Sequence, residues 1–160
     1  MNWCVLLTMA IDCIKYADND SHNHKEEREL LYKNQLRLWL AETNLHIFIV
    51  ESTGNSNTFD EFVKEYPERL IVIGFSAKEL TNSYSSSELE LLSLKEAMKV
   101  LNNENFDYIL KVTGRYYLPH VEYSLKFATN DVDIYKQHHC NPKINWQNTE
   151  YYGIKKARNC

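Results

Sequence analysis

The sequence predicts an α/β fold with a mainly parallel central sheet and helices on both faces, and three observations carry that prediction. Short apolar runs at Trp3–Thr8, His46–Val50, Leu70–Ile73 and Asp107–Thr113 have the length and composition of strands buried on both sides. The segments between them place apolar residues at three- and four-residue spacing, and strands alternating with helices close a parallel sheet through crossover connections. With 160 residues, 44% of them hydrophobic, the chain can bury one core and is short for two, so it reads as a single domain over residues 1–160.

The elements follow in order. After the first strand comes a polar loop, Asp18–His24, and a charged opening, Lys25-Glu26-Glu27-Arg28-Glu29, whose acids suit the positive end of a helix dipole. The helix that follows shows Leu31, Tyr32, Gln35, Leu36, Leu38, Trp39 and Leu40 as one apolar face that packs on the sheet. Glu51–Asn57 is a polar, turn-forming exit from the second strand, and Asp60–Glu65 is a short helix stopped by Pro67. The serine-rich stretch Ser83–Ser87 supplies N-cap candidates for a helix over Glu88–Leu101, with Leu89, Leu92, Ala97, Val100 and Leu101 inward. A fifth strand is expected over Asp131–Tyr135.

Composition and charge narrow the function classes. A net charge of −4 provides no global basic field for nucleic-acid binding. No apolar run approaches the ~20 residues of a bilayer-spanning helix. Val5–Ile11 lacks the basic lead-in of a signal peptide and reads as strand. Cys4, Cys13, Cys140 and Cys160 have no compact spacing, which suits reduced thiols and a cytoplasmic location. Nothing in the pattern sets an oligomeric state.

In parallel sheets, ligands bind beyond the carboxyl ends of the strands. That rule singles out Thr8–Asp12, Glu51–Asn55 and Lys111–Tyr116. The last is the most informative, because Lys111-Val112-Thr113-Gly114-Arg115-Tyr116 sets two cations, a hydroxyl and a glycine at the end of an apolar strand. Alternation along an extended backbone sends Lys111, Thr113 and Arg115 to one side, where they can converge on an anion. Gly114 allows a close backbone approach or a sharp turn. The bland alternative is a set of salt bridges from Lys111 and Arg115 to Glu51, Glu88 or Asp107 that only ties the sheet end together.

Other motifs weigh less. Asp131-Val132-Asp133 places two carboxylates on one side of a strand, a workable pair for Mg²⁺ or Mn²⁺, but it falls after the expected strand and reads as a solvated strand entry. His22-Asn23-His24 and His138-His139-Cys140 match no closed zinc pattern. No glycine-rich loop follows the first strand, which counts against a Rossmann-type nucleotide enzyme such as a methyltransferase.

The order of elements, with a strand ending in Glu51-Ser52, a serine-rich loop into Glu88 and a strand ending in Lys111-Val112-Thr113-Gly114-Arg115-Tyr116, resembles small GT-A-fold glycosyltransferase-like proteins of polysaccharide biosynthesis loci and large DNA viruses. The resemblance spans about Trp3 to Gly153. It implies a GT-A-like fold with a Rossmann-like nucleotide-binding half, a nucleoside diphosphate sugar as donor, and a glycan or other hydroxyl-bearing acceptor. By position it implies that Thr8 and Glu51 lie by the nucleoside and Glu88 by the loop closing over it. Lys111 and Arg115 would then lie by the diphosphate, with Thr113, Gly114 and Tyr116 completing the donor site. It further implies that Trp146–Gly153 faces the acceptor, with Glu150 as general base. A divalent cation, Mn²⁺ or Mg²⁺, is compatible but not required, since Asp-x-Asp is absent where such enzymes usually carry it. A non-catalytic nucleotide- or glycan-binding module of the same fold is the rival. Under the donor-site reading, Lys111→Ala or Arg115→Ala weakens nucleoside-diphosphate binding with the fold nearly intact.

Overall fold

The computed structural model describes residues 1–12, 24–77, 85–136 and 150–156. Strand β1, Trp3–Met9, leads to helix α1, His24–Glu42, and then to β2, His46–Glu51. A 3₁₀ turn over Ser56–Phe59 runs into α2, Asp60–Glu65, which precedes β3, Leu70–Gly74. Helix α3, Ser86–Leu101, precedes β4, Tyr108–Thr113; then come α4, Val121–Leu125, β5, Ile134–Lys136, and β6, Tyr151–Lys155. The six strands form one sheet in the order β3-β2-β1-β4-β6-β5. Strands β3, β2, β1 and β4 pair in parallel, whereas β6 pairs antiparallel to both β4 and β5.

Alternation along the strands divides the core in two. Trp3, Val5, Leu7 and Met9 of β1 face α1 and α2, where they meet Tyr32, Leu36, Trp39, Phe59 and Phe62. Cys4 and Leu6 face the other way, with Phe48, Val50 and Ile109, against Ala97 and Leu101 of α3. The sheet is therefore covered on both faces. Chain order explains the site that results: the connections build outward from β1 to β2 and β3, then α3 returns the chain to the far side of β1. That reversal opens a crevice between the carboxyl ends of β1 and β4, the switch point at which open α/β sheets bind ligands.

Two sequence expectations change and one strand is added. Leu31 and Leu38 of α1 are exposed, because the buried face is the narrower stripe Tyr32, Leu36, Trp39 and Leu40. The fifth strand is shorter than expected, and Asp131 and Asp133 precede it on the surface. Strand β6 has no counterpart in the sequence reading; its short run, Tyr-Tyr-Gly-Ile-Lys, lacks an apolar signature. Its Gly153 is fitted to the core, since a β-carbon there would stand 2.9 Å from the Trp3 ring. The motif residues Asp18–Asn23, Ser83, His138–Cys140 and Trp146–Thr149, together with Cys13, Cys140 and Cys160, lie outside the described residues. No helix among the described residues is long and apolar enough to cross a membrane.

Candidate functional site

A cleft of about 190 Å³ opens at the carboxyl ends of β1, β2 and β4 and is walled by α1 and α3. Its construction follows from strand parity. Thr8 and Thr113 are register partners on neighbouring strands, and Lys111 pairs with Leu6 two residues below, so all three point to the face that α3 covers. The capping box of α3 fixes how that helix arrives: Ser85 accepts from the Glu88 backbone N–H at 3.3 Å while Glu88 accepts from the Ser85 N–H at 2.6 Å. Glu88 is thereby occupied at the exposed helix start. The acid that reaches the cleft is Glu90, two residues on.

Glu90 organises the cleft floor. Its Oε1 pairs with the Lys111 ammonium and accepts from the Thr8 hydroxyl at 3.3 Å. Lys111 is only 1% exposed, donates to Thr113 Oγ1 at 3.3 Å, and stands 5.6 Å from the Tyr152 ring centre. Burial pushes the Tyr152 phenol above its ordinary pKa, and the nearby Glu90 charge adds to the shift. Lys111 and Thr113 do lie on one side, as alternation requires. The lysine is an internal cation below the cleft, and its partner is none of the acids named from the sequence.

The exit loops of β1 and β2 are bound together by Glu51, which is fully buried. Its Oε1 accepts from Ile11 N–H at 3.2 Å, from Thr53 N–H at 3.0 Å and from the Thr53 hydroxyl; Oε2 accepts from Asn55 N–H at 2.6 Å. A buried carboxylate is tolerated when backbone donors surround it in this way. The result shapes the wall: Ser52 and Thr53 face the cleft, and Glu51 supports them from behind.

Arg115 is exposed and lines the cleft together with Thr113. Gly114 between them donates its N–H to the Thr8 carbonyl at 2.9 Å. A β-carbon at Gly114 would stand 2.5 Å from Met9 Cγ, so the missing side chain is used for close packing of β4 on β1. Beside the cleft, the Tyr116 hydroxyl donates to Glu150 Oε1 at 2.8 Å, and the Glu150 carbonyl accepts from Thr113 N–H at 2.7 Å. This hydrogen bond raises the Tyr116 phenol pKa, with burial and the Glu150 charge acting in the same direction and Arg115 opposing. Trp39 anchors the turn from the core by donating to the Tyr116 carbonyl at 3.0 Å.

The structure thus gathers Thr8, Thr113 and Arg115 at the cleft, places Lys111 beneath it, and sets Tyr116 and Glu150 alongside. Sequence reading missed Glu90, Arg28 and Tyr32. Arg28 donates to the Ala10 carbonyl at 2.9 Å and to the Tyr32 hydroxyl at 3.2 Å, and both side chains line the cleft. The signals were present: Arg28, Tyr32 and Leu36 share one helix face at four-residue spacing, and the Ser85-x-x-Glu88 capping box already assigns Glu88 a structural task. Asp131 and Asp133 lie elsewhere. Asp133 is 3.6 Å from Lys155, and Lys155 pairs with Tyr108 at the amino end of β4, the sheet edge opposite the cleft. Among the described residues no group of three His, Cys, Asp or Glu side chains is placed to hold a metal ion.

No protein-family model and no curated protein matches the sequence. Among solved structures, the whole chain is similar to a proposed nucleotide-diphospho-sugar transferase from Desulfovibrio desulfuricans G20, with a TM-score of 0.57 and 12% identity. The chain spans 66% of that protein's length, just under two thirds. A nucleoside-diphosphate-sugar pyrophosphorylase from Vibrio cholerae RC9 shares 12% identity over 97% of this chain and 73% of that one, with a TM-score of 0.40. At such identity the first likeness is one of fold: the chain has the α/β, mostly parallel architecture of a nucleotide-diphospho-sugar transferase structure.

Proposed function

We propose that residues 1–160 form a single GT-A-like domain that transfers a sugar from a nucleoside diphosphate sugar to a hydroxyl of a glycan or another acceptor. The observation that supports this most is the convergence of Thr8, Thr113 and Arg115 on one cleft at the switch point of the sheet. The fold likeness to a nucleotide-diphospho-sugar transferase structure adds to it.

Transfer breaks the bond between the anomeric carbon and the diphosphate oxygen, and the bonding electron pair leaves with the diphosphate. Arg115 is suited to meet that growing charge, because guanidinium presents a fork of donors to phosphate oxygens. Arg28 gives the opposite wall a second guanidinium, and Lys111 supplies a fixed charge from below. The acceptor hydroxyl loses its proton as it attacks, and Glu150 is the proposed base. Tyr116 holds that carboxylate in place through its 2.8 Å hydrogen bond. In this reading Glu51 and Glu88 serve the nucleoside site indirectly, the first by fixing Ser52 and Thr53 and the second by seating α3.

The residues that end β4 do not fit a divalent cation. Lys111 and Arg115 are donors only, and Thr113 offers one neutral oxygen already in contact with the lysine. The internal pairing of Lys111 favours, as a second reading, a binding module of the same fold that has lost turnover.

Calorimetric titration with UDP, GDP, TDP and their sugar conjugates, each with and without Mn²⁺, tests both readings. The expected result is saturable binding of one base family, weakened about 10- to 100-fold in Arg115→Ala, the loss of a charge-assisted contact. Turnover of the bound donor separates an enzyme from a binding module. Wild-type affinity in Arg115→Ala would remove the phosphate role.

A further inference from the structure

We infer that the Glu90 carboxylate accepts a hydrogen bond from a hydroxyl of the sugar ring bound in the cleft, so that Glu90 selects its ligand by donor groups. The inference rests on the donor-site reading above and adds a residue and a chemistry to it.

Among the described residues, the hydrogen bond from Thr8 and the ion pair with Lys111 both fall on Oε1 of Glu90. Its Oε2 makes no hydrogen bond among the described residues, while the side chain is 33% exposed and lines the cleft. Lys111 therefore fixes one oxygen from beneath and leaves the other toward the ligand. The same ammonium offsets the carboxylate's charge, which lessens its repulsion of a diphosphate nearby.

The hydroxyls around Glu90 point to the same kind of guest. Thr8 spends its hydrogen on Glu90, Ser52 donates to the Met9 carbonyl at 3.3 Å, and Ser93 donates to the Leu89 carbonyl at 3.0 Å. With those hydrogens directed into the protein, the three side chains present lone pairs to the cleft, as does Glu90. These acceptors beside Glu90 are unfavourable for phosphate, whose oxygens are acceptors as well, whereas Thr113, whose oxygen accepts from Lys111, keeps its hydrogen for a ligand at the end of β4. The acceptors beside Glu90 suit a group rich in O–H donors. The two guanidinium groups that line the cleft belong to α1 and to the end of β4, so acceptor and donor functions come from different elements. The hydroxyl can come from the nucleotide's ribose or from the sugar being transferred.

The test compares wild type with Glu90→Gln, a variant of nearly equal shape, by calorimetry against UDP, 2′-deoxy-UDP, 3′-deoxy-UDP and UDP-glucose, or the same four ligands on whichever base the first titration selects. Thermal melting establishes that the variant folds. If it does not, Lys111→Met combined with Glu90→Gln avoids stranding an ammonium, and the affinity for each ligand is then compared with that of Lys111→Met alone, so that the loss of the lysine's charge is common to both. A ribose hydroxyl predicts that Glu90→Gln lowers affinity for UDP about 10- to 100-fold, and that one deoxy form loses the same factor in wild type and nothing further in the variant. A hydroxyl of the transferred sugar predicts that only UDP-glucose binding falls. Unchanged affinity for UDP and UDP-glucose overturns the inference, as does an equal loss for all four ligands. Absence of binding by wild type overturns instead the donor-site reading on which it rests.

Discussion

At the cleft edge of the sheet Lys111 is 1% exposed against Glu90, whereas at the opposite edge Lys155 has a 38% exposed side chain, 3.6 Å from an Asp133 that is 82% exposed. Both are lysine–carboxylate pairs, but their surroundings give them different costs. An exposed pair forms and breaks in water with little effect on stability. A buried ammonium must be taken out of water, a cost that its partner only partly offsets, and an apolar residue of the same size would serve the core as well. A lysine in the body of an otherwise apolar strand, Tyr-Ile-Leu-Lys-Val-Thr, is therefore poorly explained by stability and well explained by what it holds in place. Here it holds Glu90 and Thr113.

The sharpest way to break this comparison is Lys111→Ala. Removing the cation leaves Glu90 unpaired and a gap under the cleft, and breaking buried pairs costs about 3–5 kcal/mol. Glu90 reaches water, so the lower end applies, roughly 3 kcal/mol and a melting point lowered on the order of 10 °C. Burial thus replaces the sequence expectation that this substitution spares the fold. Denaturant unfolding followed by circular dichroism measures it. A variant as stable as wild type would mean that the two lysines are alike after all.

The difference between the edges was only partly legible in the sequence. The four parallel strands and the three longer helical segments could be read because strands buried on both faces and helices with one apolar stripe leave strong periodic signals. Strand β6 could not, since it is an antiparallel insertion whose Gly153 is explained only by the Trp3 ring packed against it. The same division holds at the site. Thr113 and Arg115 were found because a strand end is a local feature. Glu90 was missed because its partner, Lys111, lies 21 positions along the chain, and the capping box that commits Glu88 elsewhere was read only as a set of cap candidates. In the sequence Arg28 belongs to the charged opening of a helix; its role depends on the Ala10 carbonyl, 18 residues earlier.

A second contrast lies along β1, where Thr8 serves the cleft and Cys4, four residues earlier, serves only the core. Burial pushes the Cys4 thiol from 9.0 up to about 12, with a smaller opposing effect from Lys156. The folded state therefore keeps a proton that the unfolded chain releases. Stability from this group is complete below pH 9 and is lost as pH rises from there toward 12, with a slope of at most ~1.4 kcal/mol per pH unit. Other groups titrate in that window, so the measurement is a difference. Unfolding free energies of wild type and Cys4→Ala, compared at pH 8.5 and at about one and a half units higher, should converge as pH rises. Parallel pH dependences would mean that the thiol is reached by water.

The smallest effect is expected at the outer pair, and its smallness is what the comparison needs. Lys155→Ala removes an ion pair whose aspartate is 82% exposed and a hydrogen bond to the Asn130 carbonyl at 2.8 Å, both on the surface. Such a change alters stability by about 0.5 kcal/mol or less. Nucleotide affinity should not change, because Lys155 pairs with Tyr108 at the amino end of β4, while the cleft lies beyond Thr113 at the other end. Asp133→Asn should be equally silent in the same titration with Mn²⁺ present, which tests whether the Asp131-x-Asp133 pair takes any part in binding. If either substitution weakened nucleotide binding, ligand and cation would belong to the amino-terminal edge, and the buried Lys111–Glu90 pair would be scaffolding under an incidental cleft.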